Sequence, residues 1–359
     1  MAGTGSPPLV GASALLSLLP PPRKRAAMPR AAVSASASAS ASARAKACSY
    51  QLREGQFRRF HRLPSGLAIE VIFQEAQAAA AEGLRNPPLV FIHGSFHAAW
   101  CWVEHWLPFF SDSGYDCYAL SLLGQGESDV PSGAAAGTLQ THTSDIADFI
   151  QKEVRSPPVL IGHSFGGLIV QSYISNMTYS YSKQPSLSEN LVAHPLVAGA
   201  VLVCSVPPTG NSGLVWRYLL TKPIAAIKVT LSLAAKAFAN SLPLCKETFF
   251  SSTMEDHLVL KYQELMKASS KLPLFDLRKL NASLPVSPPT KGTVTLLIMG
   301  ASDDFIIDTE GLQETARFYG VQAFCVEGVA HDMMLDSRWE KGAQTFLSWL
   351  QELQRDQVS

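Results

Sequence analysis

The chain has 359 residues, 47% of them hydrophobic, enough to bury a substantial core in one large domain or two ordinary ones. Formal net charge is zero, but residues 1–53 hold seven Lys/Arg and no Asp/Glu, leaving 22 basic against 29 acidic residues in the remainder. A mildly acidic body argues against nucleic-acid binding, and without a run of about eighteen apolar residues no membrane-spanning helix is expected.

Residues 1–50 are rich in Ala, Ser, Pro and Arg and include "AAVSASASASASARAKA", which has too little apolar bulk to fold alone. They read as an organelle transit peptide. Arg23, Lys24 and Arg25 follow the short apolar run "LVGASALLSLLP" instead of preceding it, the wrong order for a secretory signal. An uncharged extreme N-terminus and the Ser/Ala bias favour the chloroplast over the mitochondrion. The six cysteines (Cys48, Cys101, Cys117, Cys204, Cys245, Cys325) lie far apart with no CxxC pair and no Cys/His cluster at metal-ligand spacing, which suits free thiols and no metal.

Beyond the tail, short Val/Ile/Leu-rich runs alternate with longer helical patterns, as in a parallel sheet with helices on both faces. Strands are expected at 67–73, 89–93, 116–120, 159–162, 196–203, 294–299 and 323–326, and helices at 99–111, 139–154, 167–175, 309–318 and 338–355. The alternation fails between 205 and 292, where helical patterns such as 214–240 and 254–270 fill the space. This stretch is too long for a simple crossover and reads as a helical cap over the sheet edge. The division is therefore a tail at 1–50, a core at 51–204, a cap at 205–292 and a second core segment at 293–359.

Gly162-His163-Ser164-Phe165-Gly166 fits G-x-S-x-G between a strand-like and a helix-like run. In such a turn the serine sits in a strained conformation that lifts its hydroxyl above the sheet, and the residues two before and two after must be small. A serine hydroxyl needs a base, and the base an acid to orient it. Both follow in the expected order: "TVTLLIMGASDDFIID" runs from a strand into Asp303 and Asp304, and "AFCVEGVAHDMM" runs from the next strand into His331. Asp304 is favoured over Asp303, because Asp308 or Thr309 then caps the next helix and Asp303 can bind its own loop. An oxyanion would be met by the amide of Phe165, at the start of a helix, and by that of Ser95 after "LVFIHG". His93-Gly94 reads as shaping that turn.

From residue 88 to 353 the chain resembles the α/β-hydrolases, with "FIHG", "GQGESD", "GHSFGG", "GASDD" and "GVAHDMM" in family order. The resemblance implies the α/β-hydrolase fold, a mostly parallel sheet with helices on both faces and a helical cap insertion. "HGSFHAAWCW" is similar to the matching stretch of plant methylesterases and hydroxynitrile lyases, and of bacterial lysophospholipase-like hydrolases. Three departures stand out. Gly124-Gln125-Gly126 replaces the common Gly-His-Gly, the cap is longer than in a methylesterase, and Asp332 follows His331 where cyanogenic lyases carry lysine. Ser164 in place of aspartate also speaks against epoxide hydrolase and haloalkane dehalogenase chemistry.

Phe96, Trp100, Phe165 and Trp216 are expected to line an apolar pocket over Ser164, with no evident clamp for a carboxylate or phosphate. That favours an uncharged ester, a small molecule or lipid with a hydrophobic part, cleaved by a serine esterase or lipase without a cofactor. The alternatives are a receptor-like protein that binds its ligand and keeps the triad, and a lyase on the same scaffold. "LVWRYLLTKPIAAIKVTLSLAAKAFANSL" is apolar, with Lys222, Lys228 and Lys236 on one third of a helical wheel. It reads as a lid helix or as a helix in peripheral contact with a membrane.

Overall fold

The computed structural model describes residues 50–77, 86–177, 194–221, 223–289 and 292–358, so the expected transit segment lies outside the described residues. Eight strands form one sheet: β1 (Gln56–Arg62), β2 (Ala68–Gln74), β3 (Leu89–Ile92), β4 (Cys117–Ser121), β5 (Val159–His163), β6 (Gly199–Val203), β7 (Leu296–Ala301) and β8 (Ala323–Val326). Their spatial order is β1-β2-β4-β3-β5-β6-β7-β8, antiparallel from β1 through β2 to β4 and parallel from β4 to β8. The expected strands are all present, with ends shifted by a few residues.

The central parallel strands β3, β5 and β6 are buried at every position because both faces are covered. In β3, Leu89 and Phe91 enter one core while Val90 and Ile92 enter the other. The first core packs against α1 (Trp100–Val103), α2 (Trp106–Asp112) and α11 (Trp339–Val358), through Trp102, Trp106, Phe110 and Phe346. The second packs against α3 (Leu139–Glu153), α4 (Phe165–Ser175) and α10 (Thr309–Tyr319), through Ile146, Phe149, Leu168 and Leu312.

Two differences from expectation have local causes. The helix pattern at 99–111 is broken at His105, because Pro108 has no N–H and its ring would clash with the carbonyl four residues back, so the helix restarts as α2. Strand β1 was not expected. Its "QFRRFHR" exposes Phe57, and its burial comes from seven paired positions along β2.

Between β6 and β7 lie α5 (Ser212–Thr221), α6 (Pro223–Ala234), a 3-10 turn (Ala237–Asn240), α7 (Leu242–Phe249), α8 (Asp256–Ser269) and α9 (Leu277–Ala282). The helical pattern at 214–240 is split because Pro223 opens α6 at its first position. No described helix is long and apolar enough to cross a membrane. Cys101, Cys117, Cys204 and Cys245 are buried free thiols; Cys325 is free and exposed.

One buried carboxylate joins the antiparallel edge to the body. Glu70 is fully buried and accepts from the Tyr50 hydroxyl, Arg58 Nε, Ser121 Oγ and the Glu127 amide at 2.7–3.1 Å. Removing one partner of such a pair leaves a buried charge uncompensated. Glu70→Ala is therefore expected to lower the unfolding free energy by about 3 kcal/mol, read by urea denaturation; a loss under about 1 kcal/mol would mean that the pair is not functionally buried.

Candidate active site

Ser164 stands at the junction of β5 and α4 with φ 53° and ψ −120°, a left-handed conformation unusual for a side-chain-bearing residue. The bend brings backbones together: a Cβ on Gly162 would lie 2.4 Å from the Gly166 carbonyl oxygen, and a Cβ on Gly166 would lie 2.5 Å from that of His93. Glycine at both positions is a steric requirement of the turn. Ser164 is nearly buried and opens onto a cavity of about 770 Å³ that it shares with Ser95, Phe165 and His331.

His331 Nδ1 donates to Asp304, 3.0 Å from Oδ1 and 2.9 Å from Oδ2. Asp304 also accepts from the amides of Ile306 and Ile307, which fix its plane. The neighbouring Asp303 is exposed and accepts from Ser302 Oγ, so it is not the partner of His331. Burial opposes the charged form of His331, but the Asp304 charge and hydrogen bond outweigh it and hold the ring's pKa above its ordinary value of 6.5. Asp308 caps α10, accepting from the Gly311 amide.

The amides of Ser95 and Phe165 have no hydrogen-bond partner among the described residues, and both residues face the cavity. His93 is a structural residue: Nδ1 donates to the Gly94 carbonyl and Nε2 accepts from the Leu122 amide, while burial pushes its pKa down to about 3. Phe96 and Phe165 line the cavity. Trp100 does not: it is buried behind the site, stacked on His97 at 5.4 Å and on Tyr262 at 6.2 Å, because α1 turns its ring into the core. The side chain of Trp216 lies outside the described residues.

A second buried cluster was not foreseen. His97 Nε2 faces Asp332 Oδ2 at 2.8 Å and Nδ1 faces the Ser95 carbonyl at 2.8 Å. Both ring nitrogens face oxygens, so the ring is held between the Ser95 carbonyl and the Asp332 carboxylate. The Asp332 amide donates to the Phe249 carbonyl at the end of α7. His163 Nε2 donates to the His331 carbonyl at 3.0 Å; burial, then the nearby His331 and His97, hold its pKa well below 6.5, so it is neutral. The loop of His331 is thus tied to the elbow, to the Ser95 loop and to the cap. No sequence signal pairs His97 with Asp332, which lie 235 residues apart.

Gln125 answers to a similar logic. Its side-chain amide donates to the Leu272 carbonyl, and Lys271 Nζ donates to the Gly126 carbonyl, so the "GQGESD" loop grips the cap segment after α8. The cavity also holds a lysine that the sequence did not place there: Lys236 lines it, with Nζ 5.6 Å from the Phe96 ring centroid. Two buried groups have metal-ligand atoms close together, His163 with His331 and Asp332, and Cys204 with Asp304 and His331. His331 Nδ1 is held by Asp304, His163 Nε2 by a carbonyl and Asp332 Oδ2 by His97, while His163 Nδ1 and Asp332 Oδ1 are buried without a hydrogen-bond partner among the described residues.

Asp332→Ala removes the buried side-chain partner of His97 Nε2 and is expected to cost about 3 kcal/mol. Asp303→Ala, on the exposed side of the same region, should stay within about 0.5 kcal/mol. Paired urea titrations compare the two; equal losses would contradict this ranking.

Comparison with known proteins bears on the fold and the family. The chain is 38% identical over 89 residues to Epoxide hydrolase 4 of Mus musculus, a match covering 25% of this chain and only 24% of that relative. It is 26% identical over 272 residues to Epoxide hydrolase 3 of Xenopus tropicalis, covering 72% of this chain and 68% of the relative. The fold superimposes on the esterase EaEST from Exiguobacterium antarcticum with a TM-score of 0.59 at 20% identity, over 82% of this chain and 100% of the other. The family model for alpha/beta hydrolases matches residues 89–345, and the chain belongs to that family.

Proposed function

We propose that the protein is a serine hydrolase that cleaves a carboxylic ester with a hydrophobic part through an acyl-enzyme. The observation that carries this reading is the pairing of buried His331 with Asp304 in the cavity onto which the strained Ser164 opens. With Nδ1 held by Asp304, the free Nε2 of His331 is left to take a proton.

In this reading His331 removes the Ser164 hydroxyl proton as Oγ attacks the ester carbonyl. The amides of Ser95 and Phe165 meet the oxyanion, helped by the partial positive charge at the start of α4. Collapse expels the alcohol, which takes the proton from His331. Water, deprotonated by the same ring, then releases the acid and restores Ser164. Apolar side chains such as Val206, Leu233, Leu274 and Leu280 line the rest of the cavity and suit an aliphatic or aromatic substituent.

The epoxide hydrolase names among the relatives do not transfer, because that chemistry in resembling enzymes uses a carboxylate where this chain has Ser164. Nothing in the site favours a lyase over an esterase, since Asp332, which follows the base, is engaged by His97.

The reading is tested by labelling with a fluorophosphonate probe and by turnover of nitrophenyl esters. Wild type should react in both and Ser164→Ala in neither; a wild-type protein inert in both assays would favour a ligand-binding role. The pH profile adds a second check. His331 must be neutral to act as base, and its pKa is raised, so the acid limb of kcat/KM should fall above pH 6.5. Asp304→Asn should move that limb to lower pH and reduce kcat/KM by about three to four orders of magnitude.

A further inference from the structure

The outer face of the cap carries apolar side chains that no part of the described fold covers. Leu220 is 80% exposed, Ile224 74%, Ile227 56% and Leu231 52%. Ile224, Ile227 and Leu231 recur at intervals of three and four residues and form one stripe along α6, and Leu220 lies near the end of α5. The opposite side of α6 faces inward, where Ala226, Val229, Thr230 and Leu233 line the cavity. Val215 and Leu219 do both, lining the cavity while remaining nearly half exposed, so the stripe meets the cavity at its mouth.

The charge of this segment is one-sided. Residues 212–246 hold five basic side chains and no acidic one, in a body that is otherwise net acidic. Arg217, Lys228 and Lys246 are paired with Asp308, Glu247 and Asp256. Lys236, at the cavity, has no carboxylate partner among the described residues. We propose that this face docks on an anionic lipid bilayer, with Leu220, Ile224, Ile227 and Leu231 entering the boundary between headgroups and acyl chains. A lipid-borne ester then passes from the bilayer to Ser164 along apolar surface, with its anionic headgroup beside Lys236.

A second copy of the chain fits this face less well. A two-fold contact would set the segment against itself, and 212–246 offers no carboxylate to the Lys236 of a second copy, the one described cation of the segment without a carboxylate of its own. The docking surface stands independently of the ester-hydrolase reading; the delivery of an ester to Ser164 rests on it.

The test uses the full chain with sedimented vesicles of phosphatidylcholine alone and of phosphatidylcholine mixed with phosphatidylglycerol. The variant combines Leu220→Ser, Ile224→Asn and Leu231→Asn, all exposed and none lining the cavity. The basic residues of 1–53 can attract anionic vesicles by themselves, so the informative quantity is the difference between wild type and variant. Wild type should prefer the mixed vesicles, and the variant should bind them at least about tenfold less. Its thermal unfolding and its turnover of a water-soluble nitrophenyl ester should stay at the wild-type level. Equal vesicle binding by both proteins overturns the proposal, as does a wild type that ignores vesicles. A wild-type dimer that the variant abolishes, without vesicle binding, assigns the face to a second copy instead. Vesicle binding lost in the variant while neither protein turns over ester supports the surface and counts against the ester reading alone.

Discussion

Everything at the candidate site depends on how closely three backbones approach one another. A Cβ on Gly94 would lie 2.8 Å from the Ser164 Cβ, so the Ser95 loop presses directly on the elbow. With Gly162 against Gly166, and Gly166 against His93, strands β3 and β5 and the start of α4 are locked at main-chain distance. The strain at Ser164 is held by bonds on both sides: its amide donates to the Val203 carbonyl, and its own carbonyl accepts from Gly167 and Val206. Neither the two free amides nor the Ser164 hydroxyl could face one cavity if any of these contacts widened.

The parts of the site that were legible in the sequence are those tied to a strand end. Ser164, Asp304 and His331 each follow a continuous apolar run, so the elbow, acid and histidine loops could be placed from local pattern alone. The choice of Asp304 over Asp303 was also local, because the cap of α10 at Asp308 fixes the spacing. What could not be read depends on partners distant in the chain. The long separation of His97 from Asp332 hid their pairing, and Trp100 looked like a pocket wall because its ring direction is set by Tyr262 of α8. Strand β1 escaped notice because pairing with β2, more than its own residues, makes it a strand.

Electrostatically, the site separates four histidines with different tasks. His93 and His163 are kept neutral by burial and bind main-chain groups, His93 through both ring nitrogens and His163 through Nε2. His331 is biased toward the charged form by Asp304, and His97 is bound to the Asp332 carboxylate. Two histidine–aspartate pairs are thus distributed around one serine. The neutral rings between them act as spacers that hold loops without adding charge.

The cap is not a single piece in its attachments. Asp332 holds the end of α7 through the Phe249 carbonyl, and Asp336 accepts from both the amide and the hydroxyl of Ser251, so 242–256 is fastened to the loop that carries His331. Helices α5 and α6 lack any tie to that loop as short as these among the described bonds, and reach the body through Arg217 with Asp308, through the Tyr218 hydroxyl with the Phe305 carbonyl and through buried Tyr218 and Ala226. For exchange between relatives, the chain therefore divides inside its cap. A graft of 212–240 would carry pocket walls and outer surface while leaving the imidazole undisturbed, whereas a graft extending past Leu242 would import a new footing for the base.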